Sequence, residues 1–150
     1  MEIERKYKIT DLPFDPAIYP HEDLEQGYLS TDPVVRVRKA GETYTLTYKG
    51  QGLMVREEYN LPLTEESYLH LRTKADGILI HKIRYRIPFQ SYTIELDLFQ
   101  DELAPLCLAE VEFSSEEEAN AFVPPDWFGE DVTFSGEYHN SALSRQPVSP

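Results

Sequence analysis

The chain has 150 residues, 41% hydrophobic and 27% charged, with 14 Lys and Arg against 27 Asp and Glu for a formal charge of −13. These are globular proportions, sufficient for one domain spanning residues 1–150 with a real core, and the acidic balance argues against an open nucleic-acid surface. No stretch reads as a membrane span, the acidic N-terminus runs straight into a strand pattern with no secretory leader, and the lone Cys107 cannot close an internal disulfide, so a cytoplasmic protein without membrane or nucleic-acid partners is expected.

Residues 2–9 read as a strand, and the Pro- and acid-containing segment 11–25 as a connection with room for one short helix. Strands follow at 26–30, 34–39, 43–49 and 54–61, separated by the turns Ala40-Gly41-Glu42 and Gly50-Gln51-Gly52, with Pro62 as a stop. Thr64 is placed to cap a helix that starts with Glu65 and Glu66 and runs to about Ala75, with Gly77 ending it. Strands 79–87 and 92–99 flank Pro88-Phe89-Gln90-Ser91, and strand 106–113 comes next. Ser114 or Ser115 with Glu117 or Glu118 makes a capping-box pattern for a helix to about Phe122, which Pro124-Pro125 terminates. An aromatic loop at 126–134, a short strand or helix within 136–144 and a frayed tail at 145–150 complete the chain. Seven or eight strands at this density predict a mainly β (α+β) antiparallel barrel or sandwich with a few flanking helices.

The strands share one pattern: charges on alternate residues with hydrocarbon between them. Glu2, Glu4 and Lys6 show it, as do Arg36/Arg38, Arg56/Glu58, Lys82/Arg84, Glu95/Asp97 and Glu110/Glu112. A period of two puts each set on one face of its strand. With Lys49, the set holds seven bases and seven acids and is neutral, so the −13 resides entirely in the other charged residues. An outer solvated face would interleave its signs, yet five of these pairs are like-charged and only ~7 Å apart along the strand. In a partly enclosed site such pairs repel by a few kcal/mol each at an effective dielectric of ~20. Paired carboxylates suit a hard divalent cation and paired Arg/Lys suit an oxyanion, so the set together suits a metal-bound polyphosphate. The opposite faces, with Tyr44, Leu46, Tyr48, Val55, Tyr59, Leu61, Ile83, Tyr85, Leu96 and Leu98, then need cover from outside. The expectation is an inverted barrel with a charged interior.

The opening Glu2-Ile3-Glu4-Arg5-Lys6 resembles the Glu-x-Glu-x-Lys signature of the CYTH superfamily, the triphosphate tunnel metalloenzymes. The resemblance continues in order through Gln26-Gly27-Tyr28-Leu29, Val35-Arg36-Val37-Arg38, Leu46-Thr47-Tyr48-Lys49, Arg56-Glu57-Glu58-Tyr59, Lys82-Ile83-Arg84-Tyr85, Ile94-Glu95-Leu96-Asp97 and Glu110-Val111-Glu112-Phe113. Pro125-Asp126-Trp127-Phe128-Gly129 and Tyr138-His139-Asn140 resemble the tails of short bacterial members. This resemblance implies an eight-stranded antiparallel tunnel and a divalent-metal-dependent triphosphatase that splits tripolyphosphate into pyrophosphate and phosphate. It implies Glu2, Glu4 and Glu112 as leading metal ligands, with Glu58, Glu110 and Asp97 in support, for Mg²⁺ or Mn²⁺. It implies Lys6, Arg36, Arg38, Lys49, Arg56 and Arg84 as the phosphate clamp. Lys82 and Tyr28 would form the dyad that activates water; the bland alternatives are one more clamp for Lys82 and a packed aromatic for Tyr28. Asn60 stands where the family often has a second acid after Glu58, which implies a weaker second metal site.

Other readings on the same fold are a nucleoside or thiamine triphosphatase or an adenylate cyclase; a different class is a non-catalytic polyphosphate-binding module. The short chain leaves little to build a base-binding wall, which favours the inorganic substrate. His21, His70, His81 and His139 show no metal spacing and read as surface or structural. A monomer or a homodimer is compatible with the sequence.

Overall fold

A computed structural model describes residues 1–145; the expected frayed tail, Arg145 apart, lies outside the described residues. Nine strands form one antiparallel sheet: β1 (Glu2–Lys8), β2 (His21–Thr31), β3 (Val34–Ala40), β4 (Thr43–Lys49), β5 (Val55–Arg56), β6 (Glu58–Leu63), β7 (Asp76–Phe89), β8 (Tyr92–Phe99) and β9 (Cys107–Glu112). Their order is β5-β1-β9-β8-β7-β2-β3-β4-β6. The two edge strands, β5 and β6, are separated in the chain by Glu57 alone, so the sheet curls into a nearly closed barrel.

The count of nine corrects the expected eight. The strand expected at 54–61 breaks at Glu57, and its halves serve opposite edges: Ile3 pairs with Val55 and Lys49 with Glu58. Gly52 makes the approach possible, with φ +131° and a position where any Cβ would stand 2.0 Å from the Val55 carbonyl oxygen.

Four boundaries differ from expectation. Strand β2 begins at His21 rather than residue 26, because Glu22 pairs across to Arg84 and is bonded by Arg86. Helix α1 (Glu65–Arg72) ends at the cap Thr73, and Gly77 lies instead within β7. Gly77 has φ +69°, and a Cβ there would sit 2.2 Å from the Ser144 carbonyl oxygen. Pro62 does not stop β6 but pairs with Thr45, as an edge strand permits. The segment 11–25 holds a 3₁₀ turn at Pro16–Ile18. The expected caps are present: Thr64 Oγ1 accepts from Ser67 N and Ser115 Oγ from Glu118 N, the latter opening α2 (Glu116–Ala121).

The main apolar cluster lies outside the barrel. Tyr7, Tyr85, Ile94, Leu96, Ala109 and Val111 are buried on the outer face, under Ala119 of α2 and partly buried Phe122, Trp127 and Phe128. The rings of Tyr7 and Phe128 approach to 4.8 Å, so the 126–134 loop is packed on the body. Cover is incomplete on β6, where Tyr59 and Leu61 stay 60% and 58% exposed. A second cluster joins Tyr28, Val34, Ile80, Phe99 and Leu108 to Leu143 of α3 (Asn140–Leu143). These residues continue the phase of the charged positions and form an apolar plug beneath the polar bore. Helix α3 is docked there by a hydrogen bond from Ile78 N to Ser144 O. None of the helices described is long and apolar enough to cross a membrane.

Candidate active site

Strand register determines which alternating charges meet. Glu4 faces Glu112 and Lys6 faces Glu110 across β1 and β9, Glu95 faces Glu110 across β8 and β9, and Arg84 faces Asp97 across β7 and β8. On the far wall Lys49 faces Glu58, and Arg56 of β5 faces Glu2. Together they bound a cavity of about 250 Å³. All seven alternating bases line it, as do six of the seven acids: Glu2, Glu4, Glu58, Glu95, Glu110 and Glu112. Tyr28 and Asn60 line it too.

The exception is Asp97. It is fully buried, and its oxygens are bound by Arg84 (2.8 and 2.9 Å) and Lys82 (2.8 Å). Burial alone would raise its pKa, but Arg84 and Lys82 hold it below the ordinary carboxylate value. Asp97 thus lies outside the cavity lining, with Arg84 and Lys82 as its partners.

What remains unpaired is informative. Among the described residues Arg36, Arg38 and Arg56 make no ion pair. Arg36 gives one N–H to Thr47 Oγ1 at 3.1 Å, while its buried Nε has no partner. An orphaned buried guanidinium nitrogen asks for an acceptor. Burial, with Arg36 and Arg84 close by, lowers Arg38 to about 9, a crowding of cations that an anion would relieve.

The acids mirror this. Glu2 is bound by Lys49 at 3.0 Å, and Glu110 lies 3.4 Å from Lys6. Glu4 and Glu112 have no ion pair among the described residues. Burial, with Glu110 and Glu2 nearby, pushes Glu4 up to about 8. Burial raises Glu2 to about 7 against the pull of Lys49. Burial would also raise Glu58, but hydrogen bonds from Glu2, Asn60 and Lys49 hold it at about 2. Protons thus stand where a divalent cation would remove the repulsion. No three His, Cys, Asp or Glu side chains among the described residues form a ready metal cage. The donors fit a cation that takes one or two carboxylates and completes its shell with substrate oxygens and water, as Mg²⁺ does. Asn60 is held in place beside them: its Oδ1 accepts from Thr47 at 2.6 Å and its Nδ2 donates to Glu58 at 2.9 Å.

Lys82 is fully buried. Burial lowers its pKa to about 7, opposed by Asp97 and reinforced by Arg84 and Arg38. Its Nζ donates to Asn140 Oδ1 at 2.8 Å. Among the described residues no hydrogen bond joins Lys82 to Tyr28 directly. Gln26 Nε2 connects them, donating to both Asn140 Oδ1 (3.0 Å) and Tyr28 Oη (3.4 Å).

Several lining residues escape the alternating-charge pattern. His139, Asn140 and Ser141 enter the cavity from the C-terminal segment. His139 is therefore neither surface nor merely structural: its Nδ1 accepts from Arg56 at 3.2 Å. A guanidinium cannot accept, so the imidazole is neutral and protonated at Nε2. Burial, with Lys6, Arg56 and Lys49 nearby, drops its pKa to about 4. The signals available were the Tyr138-His139-Asn140 run and the phase that Gln26 shares with Tyr28.

An inside-out antiparallel barrel with such a bore has the charges to take a polyanion together with a cation. The CYTH domain family model matches residues 1–146, and the chain belongs to that family. It is 40% identical to an inorganic triphosphatase of Nitrosomonas europaea, covering 95% of this chain and 96% of that one. It is 35% identical to an inorganic triphosphatase of Acetivibrio thermocellus over 97% and 94% of the two chains. A crystal structure of an inorganic triphosphatase superposes with a TM-score of 0.74 at 36% identity, covering 99% and 97%.

Proposed function

We propose that the protein is a divalent-metal-dependent hydrolase that splits inorganic tripolyphosphate into pyrophosphate and phosphate inside a single tunnel domain, acting in the cytoplasm. The observation that carries this reading is the unbalanced pairing in the bore. Among the described residues Arg36, Arg38 and Arg56 have no acid in ion-pair contact, while Glu4 and Glu112 have no base, all around one cavity. Only a ligand with both signs, a phosphate chain carrying a cation, completes both sets. The lining also favours an inorganic chain, since among the described residues Val34 is its one aliphatic member and charged side chains make up most of the rest.

In this reading Arg36, Arg38 and Arg56, with Lys6, Lys49 and Arg84, hold the phosphoryl oxygens in line. Glu2, Glu4 and Glu112, flanked by Glu58 and Glu110, would hold Mg²⁺ or Mn²⁺. The ion, when bound, neutralises charge on the substrate oxygens. Lys82 takes a proton from the attacking water at Nζ, for which a pKa near neutrality is suited. The new bond joins water oxygen to the terminal phosphorus, and the bond from that phosphorus to its bridging oxygen breaks. Tyr28 and Asn140 border the same space. Asp97 keeps Lys82 and Arg84 in place. Positioning and charge stabilisation do most of the work in phosphoryl transfer.

A phosphate-release panel tests this, using tripolyphosphate, ATP, thiamine triphosphate and pyrophosphate, each with Mg²⁺, Mn²⁺ or chelator. The expected result is release from tripolyphosphate far above the others, abolished by chelator. Tight tripolyphosphate binding without release under either metal would identify a binding module instead.

A further inference from the structure

A buried chain of polar side chains links the clamp residue Arg38 to Lys82 through Gln26 and Asn140, two residues to which the chemistry above gives no task. Arg38 Nε donates to Gln26 Oε1 at 2.7 Å. Gln26 Nε2 donates to Tyr28 Oη and Asn140 Oδ1, and Lys82 Nζ donates to the same Asn140 oxygen. Gln26 is fully buried, so no solvent can substitute for any of these partners.

The direction of each bond is forced from the ends of the chain. A guanidinium only donates, so Gln26 must turn its oxygen toward Arg38. Its two amide hydrogens then face Tyr28 and Asn140. Asn140 must answer with its oxygen, which the Lys82 ammonium also requires. Tyr28 must answer with a lone pair. Two donors are left over: the Tyr28 O–H and the Asn140 amide N–H₂. Neither has another acceptor among the described residues, and both side chains line the cavity.

We propose that Gln26 and Asn140 are positioning residues whose one-way hydrogen-bond chain aims the Tyr28 hydroxyl proton and the Asn140 amide at the phosphate chain and holds the Lys82 amine beneath it. This rests on the tripolyphosphatase reading and adds to it the residues that fix donor polarity. A helix only four residues long, α3, thereby supplies a substrate-facing donor as well as the floor of the bore. Ser144 anchors it to β7 through Ile78 N, at the point where Gly77 leaves room for the backbone.

Gln26→Glu is the direct test. It keeps the shape and the oxygen facing Arg38 but replaces both N–H donors with an acceptor, so Tyr28 would turn its proton inward. With tripolyphosphate and Mg²⁺, kcat should fall roughly ten- to hundredfold, less than the ~10²–10⁴ for removing a proton-handling group outright, because Lys82 and Tyr28 remain. The new carboxylate also pairs with Arg38, so KM and the calorimetric affinity for tripolyphosphate in chelator should weaken, but by a smaller factor than kcat falls. In a Tyr28→Phe background the same substitution should cost little more, because the two act as one unit. Asn140→Asp, which keeps an oxygen for Lys82 but replaces the donor with a charged acceptor, should likewise lower kcat more than affinity. An unchanged kcat in Gln26→Glu overturns the proposal, as does full additivity with Tyr28→Phe or an equal loss of binding and turnover. One readout does not depend on turnover: NMR of the wild type should show exchange-protected Gln26 side-chain amide protons with contacts to Tyr28 and Asn140. A rapidly exchanging or reversed amide refutes the positioning role, whereas wild-type inactivity on tripolyphosphate refutes the functional reading alone.

Discussion

Glu4→Gln should make the metal-free protein more stable while removing its response to metal. The Glu4 carboxyl lies in the bore without a cationic partner, and burial, with Glu110 and Glu2 nearby, lifts its pKa from 4.5 to about 8. The folded value lies above the unfolded one. The associated stability is therefore fully present below pH 4.5 and is lost progressively as pH rises to about 8, after which the loss levels off. At pH 7 the unfolded chain gains by ionising across roughly 2.5 pH units that the folded chain forgoes, an upper bound of about 3 kcal/mol at 1.36 kcal/mol per unit. Water reaching the cavity screens part of this, so a difference of about 1–2 kcal/mol is expected. Gln keeps the shape without the ionisation. Thermal melts in chelator should place Glu4→Gln about 2–8 °C above wild type at pH 8, with the gap closing toward pH 4.5. Mg²⁺ should stabilise wild type increasingly from pH 6 to pH 8 and the variant hardly at all, because binding must displace the Glu4 proton. A variant less stable than wild type in chelator at pH 8, or equally stabilised by Mg²⁺, would refute this account of the acidic wall.

Three further outcomes follow from the same geometry. At saturating metal, kcat should rise through about pH 7 as Lys82 loses its proton; Lys82→Ala should lose ~10²–10⁴ in rate and the rising limb with it, in a stopped-time phosphate assay across pH. Asp97→Asn strips the shared countercharge from two buried cations, and urea denaturation should show a loss of about 3–5 kcal/mol. Gly77→Ala forces a Cβ against the Ser144 carbonyl at a positive φ, so it should lower stability by about 1–3 kcal/mol and, by displacing α3 and Asn140, reduce kcat more than tripolyphosphate affinity.

Much of the bore was legible because a strand converts period two into a face without help from the rest of the fold. Like signs at i and i+2 then distinguished an interior from a solvated surface, and all seven bases appear where that logic put them. The limits lie where partners come from elsewhere in the chain. Asp97 shares the phase of Glu95, yet only register reveals that Arg84 stands opposite and captures it. Gln26 and Asn140 are 114 residues apart and meet only because α3 folds under the barrel. His139 carries no spacing signal, since its partner Arg56 sits on a two-residue strand. The break at Glu57 was illegible for a related reason: Val55 and Tyr59 keep one strand's alternation, while barrel closure assigns them to opposite edges.

The central claim is that a phosphate chain and its cation complete the two unpaired sets of charges inside the bore. A crystal structure with tripolyphosphate and Mn²⁺, read by the anomalous signal of the metal, tests it most directly. The account predicts the metal beside Glu4 and Glu112, with phosphate oxygens on Arg36, Arg38 and Arg56. Phosphate density on the outer surface, or a metal peak away from these carboxylates with the bore filled only by water, would contradict it.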